Sequence, residues 1–218
     1  DSGNNLIVAE QTIDPNVIYG GLGDDLVIGG SGSDTIFGGQ GDAEIGSPVS
    51  PDDDRIFGGA GSDTIYAESG NDLVDAGSGN DAVYGGDGSD RLYGGEGDDV
   101  LNAGGSRTVS GIVFHETADD LVVGGEGNDV LGAGLGTNTY HFDAGFGQDT
   151  IYLTQASAYE VSQMGLGSES AILRFGAGIS AAGIVLMRNG NEVVVQHGAD
   201  QITISGYGGS TGTSIDFV

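Results

Sequence analysis

Five aspartates stand nine residues apart: Asp63, Asp72, Asp81, Asp90 and Asp99. Each follows a glycine by two places (Gly61, Gly70, Gly79, Gly88, Gly97) and precedes a branched aliphatic by two (Ile65, Val74, Val83, Leu92, Leu101). Carboxylates on so strict a schedule suit one kind of chemistry, the holding of cations at many equivalent places. They are not arranged as an acid–base pair in a single pocket. The stretch that carries them, Gly58 to Asn102, reads GGAGSDTIY, AESGNDLVD, AGSGNDAVY, GGDGSDRLY and GGEGDDVLN without a gap.

The elements that must position these acids follow from the spacing. Within each unit, glycine at positions 1, 2 and 4 lets the backbone take left-handed and other disfavoured angles. Six residues can then wrap tightly with their carbonyls turned to one focus. Positions 7 to 9 leave room for a three-residue strand, with position 8 inward and positions 7 and 9 outward. Two units make one flattened turn of 18 residues. Turns stacked about 4.8 Å apart place the position-6 carboxylates in two vertical columns. Neighbouring acids at that distance repel by roughly 1–3.5 kcal/mol, so a cation has to sit between them. Hard oxygen ligands in a roomy loop suit Ca²⁺, with its 6–8 oxygens at about 2.3–2.6 Å, better than Mg²⁺ or Zn²⁺.

Composition points the same way. The chain has 218 residues, 33 acids against 5 bases, a formal charge of −28 and 45 glycines. Aromatics make up 7% and tryptophan is absent, so an ordinary packed core cannot run its whole length. Without metal, such charge and glycine content predict an expanded, disordered chain. No cysteine is present to cross-link it. Metal must therefore supply folding energy, and binding and folding should be one event. The acidity argues against nucleic acid and anionic membranes as partners. No apolar run is long enough to span a bilayer. The opening Asp1-Ser2-Gly3, with neither an initiator Met nor a leader, reads as a segment of a longer protein.

Taken in order, residues 1–19 hold two degraded units in which Asn5 and Asn16 stand where Asp belongs; they are expected to cap the coil, with weak calcium sites as the alternative. Gly20 to Gly46 carries GGLGDDLVI, GGSGSDTIF and GGQGDAEIG, the third with Ala43 at position 6. The next unit, Ser47 to Phe57, keeps Asp54 and Ile56 and is expected to hold a two-residue bulge. Ala103 to Val123 is 21 residues, read as two units plus three, so stacking would resume on the same face. Within it Val109 and Ile112–Phe114 are expected to pad a sheet edge. Gly124 to Gly132 is regular, the next unit has Asn138 and an inward Tyr140, and a half-matching unit ends with Asp149 and Ile151. From Leu153 the period stops. A short helix is expected around Ser157 to Met164, then apolar runs with hairpin signals at Asn189-Gly190 and Gly198-Ala199-Asp200. These form an antiparallel β unit over the open end of the coil, protecting its strand edge.

The repeats between Gly20 and Tyr152 follow G-G-x-G-x-D-x-U-x, the established calcium-binding repeat of RTX proteins, and this part of the chain resembles the RTX β-roll. The tail Ile172-Leu173-Arg174-Phe175-Gly176-Ala177-Gly178-Ile179, with Asn189-Gly190-Asn191 and Ile202-Thr203-Ile204, resembles the haemolysin-type calcium-binding related domain that often follows it. The resemblance implies an all-β fold: a right-handed parallel β-roll (a β-solenoid of 18 residues per turn) over residues 20–152, degenerate repeats before it and a C-terminal antiparallel β cap over 153–218. It further implies roughly eight Ca²⁺ ions, each between successive turns. The side-chain ligands carried over are Asp25, Asp34, Asp54, Asp63, Asp72, Asp81, Asp90, Asp99, Asp120 and Asp129. Backbone carbonyls would come from the glycine turns, among them Gly21, Gly23, Gly30, Gly32, Gly59, Gly61, Gly77, Gly79, Gly86, Gly88, Gly95, Gly97, Gly125 and Gly127. The family also implies a secreted or cell-surface bacterial protein exported by type I secretion machinery. The isolated module is expected to be a monomer.

Sharper motifs are weaker than they look. Gly208-Gly209-Ser210-Thr211-Gly212 fits G-x-S-x-G, but a nucleophile elbow needs a strand before it, a helix after it and a later His, and the last His is His197. His115-Glu116 lacks the second His of a zinc-protease motif, because residue 119 is Asp119. His115, His141 and His197 lie in separate segments and make no ligand cluster. The chain is read as a non-enzyme. Position 9 places Tyr19, Phe37, Phe57, Asp75 and Tyr93 down one face and Ile28, Gly46, Tyr66, Tyr84 and Asn102 down the other. Such aromatics stabilise a sheet by cross-strand pairing. The competing reading is a platform for a glycan, ice or a protein on the host surface, within an adhesin.

Overall fold

A computed structural model describes residues 3–9, 13–39, 52–109, 112–154, 169–176, 178–189, 192–205 and 214–217. Its first strands are β1 (Leu6–Val8), β2 (Val17–Tyr19), β3 (Leu26–Gly30) and β4 (Thr35–Phe37). The regular repeats supply β5 (Arg55–Ala60), β6 (Thr64–Ser69), β7 (Leu73–Ser78), β8 (Ala82–Asp87), β9 (Arg91–Glu96) and β10 (Val100–Gly104). There follow β11 (Ser106–Val109), β12 (Ile112–His115), β13 (Leu121–Glu126), β14 (Val130–Gly132), β15 (Thr137–Phe142) and β16 (Gln148–Tyr152). The C-terminal part holds β17 (Ser170–Phe175), β18 (Ile184–Asn189), β19 (Glu192–His197), β20 (Asp200–Ser205) and β21 (Ser214–Phe217).

Alternate strands go to alternate sheets. One sheet runs β1-β3-β5-β7-β9-β13-β15-β17-β21 and the other β2-β4-β6-β8-β10-β14-β16-β20-β19-β18. Within each stack neighbouring strands are parallel, as a coil of 18-residue turns requires: Ile65 lies beside Val83 and Val74 beside Leu92. The regular strands are six residues long, not three, because they continue through positions 1 to 3 of the next unit. Alternation therefore turns position 1 inward as well as position 8. Ala67, Ala76, Ala103 and Ala133 occupy position 1 fully buried, beside Ile65, Val74, Val83, Leu92 and Leu101. Through the regular repeats the core is a thin seam of aliphatic and small residues between the sheets, and Tyr140, Phe142 and Phe146 fill it nearer the C-terminal end. Burying each position-8 side chain contributes about 1.5–3 kcal/mol, against an ordering cost of roughly 1–2 kcal/mol for every residue in the unit. The seam alone cannot hold a nine-residue unit.

Two irregular stretches depart from expectation. Between Phe37 and Ile56 the register of the flanking strands differs from the two-residue excess expected: Ile28 stacks on Phe57 and Phe37 on Tyr66, each pair 29 residues apart. Gly38 to Phe57 therefore counts as a single half-turn carrying eleven extra residues, and the expected face lists for position 9 shift with it. Ala43 and its neighbours lie outside the described residues. Similarly, Ala103 to Val123 is one unit with twelve extra residues, since Asp90 stacks on Asp120 at a separation of 30. Val123 joins Tyr93 in the first sheet. The extra chain does not pad a sheet edge: β11 and β12 pair antiparallel with each other as a separate hairpin. Both excursions leave from the turn, where added length does not disturb the stack.

At the N-terminal end β1 and β2 continue the two parallel stacks. At the other end β18, β19 and β20 are antiparallel, with Asn189 opposite Glu192 and a turn at Gly198-Ala199 between β19 and β20; Gly190 lies outside the described residues. In addition β17, β20 and β21 prolong the parallel ladders. The expected helix near Ser157 to Met164 and the glycine loop at Gly208 to Gly212 lie outside the described residues. No helix among the described residues is long and apolar enough to cross a membrane.

Candidate metal centre

The position-6 acids form two columns along the two edges of the roll. One runs Asn5, Asp25, Asp54, Asp72, Asp90, Asp120, Asn138; the other runs Asn16, Asp34, Asp63, Asp81, Asp99, Asp129, Asp149. At every step the backbone N–H of one residue donates to the side-chain Oδ1 of the next, at 2.7–2.9 Å. The period of nine delivers this geometry: each Asp ends a turn and begins a strand, so its side chain lies along the edge instead of out in water.

Oδ1 is thus satisfied and Oδ2 is not. The Oδ2 atoms of Asp25, Asp34, Asp54, Asp63, Asp72, Asp81, Asp90, Asp99, Asp120, Asp129 and Asp149 are buried without a hydrogen-bond partner. All eleven residues are at most 4% exposed. A buried oxygen lacking a partner costs about 1–3 kcal/mol, and more when it bears charge. Burial accordingly pushes these carboxyls up: Asp63 and Asp129 to about 6, Asp54, Asp99 and Asp120 to about 7, Asp72 and Asp149 to about 8, and Asp90 to about 9. Asp81 moves the same way for the same reason. The N–H that each accepts works against the rise, while repulsion from column neighbours adds to it at Asp54, Asp72, Asp90 and Asp99. At neutral pH these columns call for either protons or cations.

The glycine turns bring carbonyl oxygens to the same edges. A Cβ placed on Gly58 would lie 2.6 Å from Oδ2 of Asp63 and 2.5 Å from the carbonyl oxygen of Ala76 in the next turn. On Gly38 it would lie 2.5 Å from Oδ2 of Asp54 and 2.8 Å from the carbonyl of Ala67. Carboxylate and carbonyl oxygens of adjacent turns thus converge. Position 1 is small for lack of space and does not take the left-handed backbone expected of it. At positions 2 and 4 that expectation holds: φ is +113° at Gly59 and +120° at Gly61, and of the fourteen turn glycines named from the sequence only Gly32 is not in this region. Glu68, at position 2 of its unit, takes φ 84° as a non-glycine. No group of three or more His, Cys, Asp or Glu side chains converges among the described residues. An ion here would be held by one or two carboxylates and completed by backbone carbonyls. That donor set is all hard oxygen and fits Ca²⁺. Bound there, the ion would supply charge neutralisation and a link between turns.

Some residues that matter were not singled out by sequence. Position 5 builds a second, exposed ladder: Asn71 N–H donates to Asp53 Oδ1 at 2.7 Å, Ser89 N–H to Asn71 Oδ1 at 3.0 Å and Asn128 N–H to Asp98 Oδ1 at 2.8 Å. The signal was present, since position 5 is always Asp, Asn or Ser in the regular units. Asp149 behaves as the other column acids do. Asn138 ends its column differently: its Nδ2 donates to the Ala133 carbonyl and to Oε1 of Glu169 at 3.1 Å. Glu169 also accepts from Tyr140 Oη at 2.7 Å and from Thr154 N–H at 2.8 Å. Of the histidines, His141 lies 3.5 Å from Asp143, while His115 and His197 sit on β12 and β19.

A parallel β-roll edged by two columns of orphaned carboxylates defines a calcium-binding repeat protein. The profile described as RTX calcium-binding nonapeptide repeat matches four stretches, residues 12–44, 50–83, 75–107 and 116–140, more than half of the chain. The chain belongs to that family. Among solved structures it is similar to the extracellular lipase LipA from Serratia marcescens, at 17% identity and a TM-score of 0.32, covering 90% of this chain and 40% of that one. The chain thus spans less than half the length of that lipase. No curated protein matches it.

Proposed function

We propose that this chain is the calcium-responsive folding module of a larger secreted bacterial protein, filled by roughly eight ions. The observation that carries the reading is the set of eleven buried, unpartnered Oδ2 atoms at a spacing set by the repeat. Extracellular modules bind Ca²⁺ at about 10⁻⁴–10⁻³ M, well above the concentration inside a cell. The segment stays unfolded during export through type I machinery, then coils outside and steadies the neighbouring domain of its parent. Column aspartates and turn carbonyls hold the ions; the roll itself performs no catalysis.

The rival reading, an adhesin module recognising a glycan, ice or protein through outer aromatics, has less support. Tyr19, Phe37, Tyr66 and Tyr84 stack ring on ring at 4.9–5.1 Å with planes within 9° of parallel. Ring faces used on one another are not available to a sugar ring, and the ladder serves the sheet. Circular dichroism tests the proposal: coil in chelator and sheet in millimolar Ca²⁺ are expected, with Mg²⁺ failing to substitute. Equal sheet content with Mg²⁺ would remove calcium from the account.

A further inference from the structure

Where the hairpin of β11 and β12 leaves the coil, Glu116 stands at its base. Its Oε2 accepts the Ala118 N–H at 2.6 Å, and its Oε1 is buried with no partner. Its backbone is tied to both sides, N–H to the Gly105 carbonyl at 3.1 Å and carbonyl to the Leu135 N–H at 3.3 Å. The free Oε1 faces the next turn: a Cβ on Gly134 would lie 2.5 Å from it. This is the gap between the turn ending in Asp120 and the turn ending in Asn138, linked by the Asp120 N–H to Asn138 Oδ1 bond at 2.9 Å.

In the four gaps from Asp25 to Asp120 the turn on either side contributes a carboxylate. Here Asn138 contributes none, and its Nδ2 is spent on Ala133 and Glu169. Glu169 is likewise spent, on Asn138, Tyr140 and Thr154. Two orphaned oxygens remain: Oδ2 of Asp120, a residue 4% exposed, and Oε1 of Glu116. We propose that Glu116, a residue outside the repeat pattern, supplies the carboxylate that Asn138 lacks and with Asp120 holds a divalent cation between these two turns, pinning the base of the hairpin. The inference rests on the calcium reading of the columns.

Calcium titration by calorimetry of the whole 218-residue chain, with Ca²⁺ as the only added cation, tests it. Glu116→Gln keeps the size and the Ala118 bond and removes the charge. It is expected to bind one ion fewer than the unaltered chain, while Glu96→Gln, an exposed position-3 acid, binds the full number. An identical ion count and midpoint for Glu116→Gln overturns the site and leaves the columns standing. An unaltered chain that binds no calcium defeats the underlying reading instead. Should Glu116→Gln fail to reach the full sheet signal in calcium, Glu116→Asp decides. A full ion count with one ion bound roughly tenfold or more weakly supports the site; unchanged affinity for every ion overturns it.

Discussion

Replacing Asp72 by Asn separates the two jobs of a column acid. Asp72 Oδ1 accepts the Asp54 N–H at 2.8 Å, and its own N–H donates to Asp90 Oδ1 at 2.9 Å. An amide keeps both bonds, as Asn138 does for Asp120. It replaces the charged, orphaned Oδ2 with a neutral Nδ2H₂, which cannot ligate a cation. A calcium site of extracellular strength at 10 mM ion sits at about 10–100 times its dissociation constant and contributes about 1.4–2.7 kcal/mol. Asp72 borders a gap on each side in its column, so Asp72→Asn should cost about 3–5 kcal/mol in saturating calcium if both sites are lost. Asp72→Ala adds about 1–3 kcal/mol for the Asp54 N–H left unpaired. In chelator the order reverses. Burial and column repulsion push Asp72 up to about 8, so a neutral amide relieves the metal-free fold. Urea unfolding in calcium and sheet content by circular dichroism in chelator, with Glu96→Gln as an exposed control, read the two media. An Asn variant with unaltered calcium-state stability, or one weakened equally in both media, would refute the reasoning.

Three further outcomes follow from the same geometry. Column carboxyls raised from 3.8 to about 6–9 favour the metal-free fold fully below about pH 4 and lose that contribution as pH rises through their folded values. In chelator, acidification from pH 8 to 4 should therefore restore sheet by circular dichroism, while calcium affinity falls over the same interval because ions compete with protons. Glu68→Gly should stabilise the calcium form by about 1 kcal/mol, since Glu68 alone among the described non-glycine residues holds a positive φ, and the gain is read as a higher melting temperature. Glu116→Gln should bind one calcium fewer than the unaltered chain.

What could be read from the chain was whatever recurs every nine residues. Asp at position 6, an aliphatic at position 8 and glycine at positions 2 and 4 obey backbone geometry that each turn repeats, so one unit predicts the next. Position 1 is ambiguous in the sequence because glycine serves two ends: it permits unusual φ, and it makes room. Only the stacked neighbour, such as the Ala76 carbonyl beside Gly58, says which one applies. The two insertions were misplaced for a related reason. Eleven or twelve extra residues leaving a turn conserve the strands on both sides, and arithmetic in units of nine cannot tell one long unit from two imperfect ones. Glu116 and Glu169 fall outside the period altogether; their roles arise from tertiary proximity to Asp120 and Asn138. The position-5 ladder shows in the unbroken use of Asp, Asn and Ser, but small polar residues in a turn have so many ordinary uses that the pattern alone does not mark a ladder.

The dependence of the coil on divalent ions is tested most directly by small-angle scattering at neutral pH, with and without calcium. A compact chain of this length has a radius of gyration of about 17 Å, somewhat more for an elongated roll, and an unfolded one about 50 Å. Expansion toward the larger value in chelator, and collapse to the smaller on adding millimolar Ca²⁺, is the expected result. A chain equally compact in both would mean that the orphaned carboxylates are tolerated without ions, contradicting the role assigned to them.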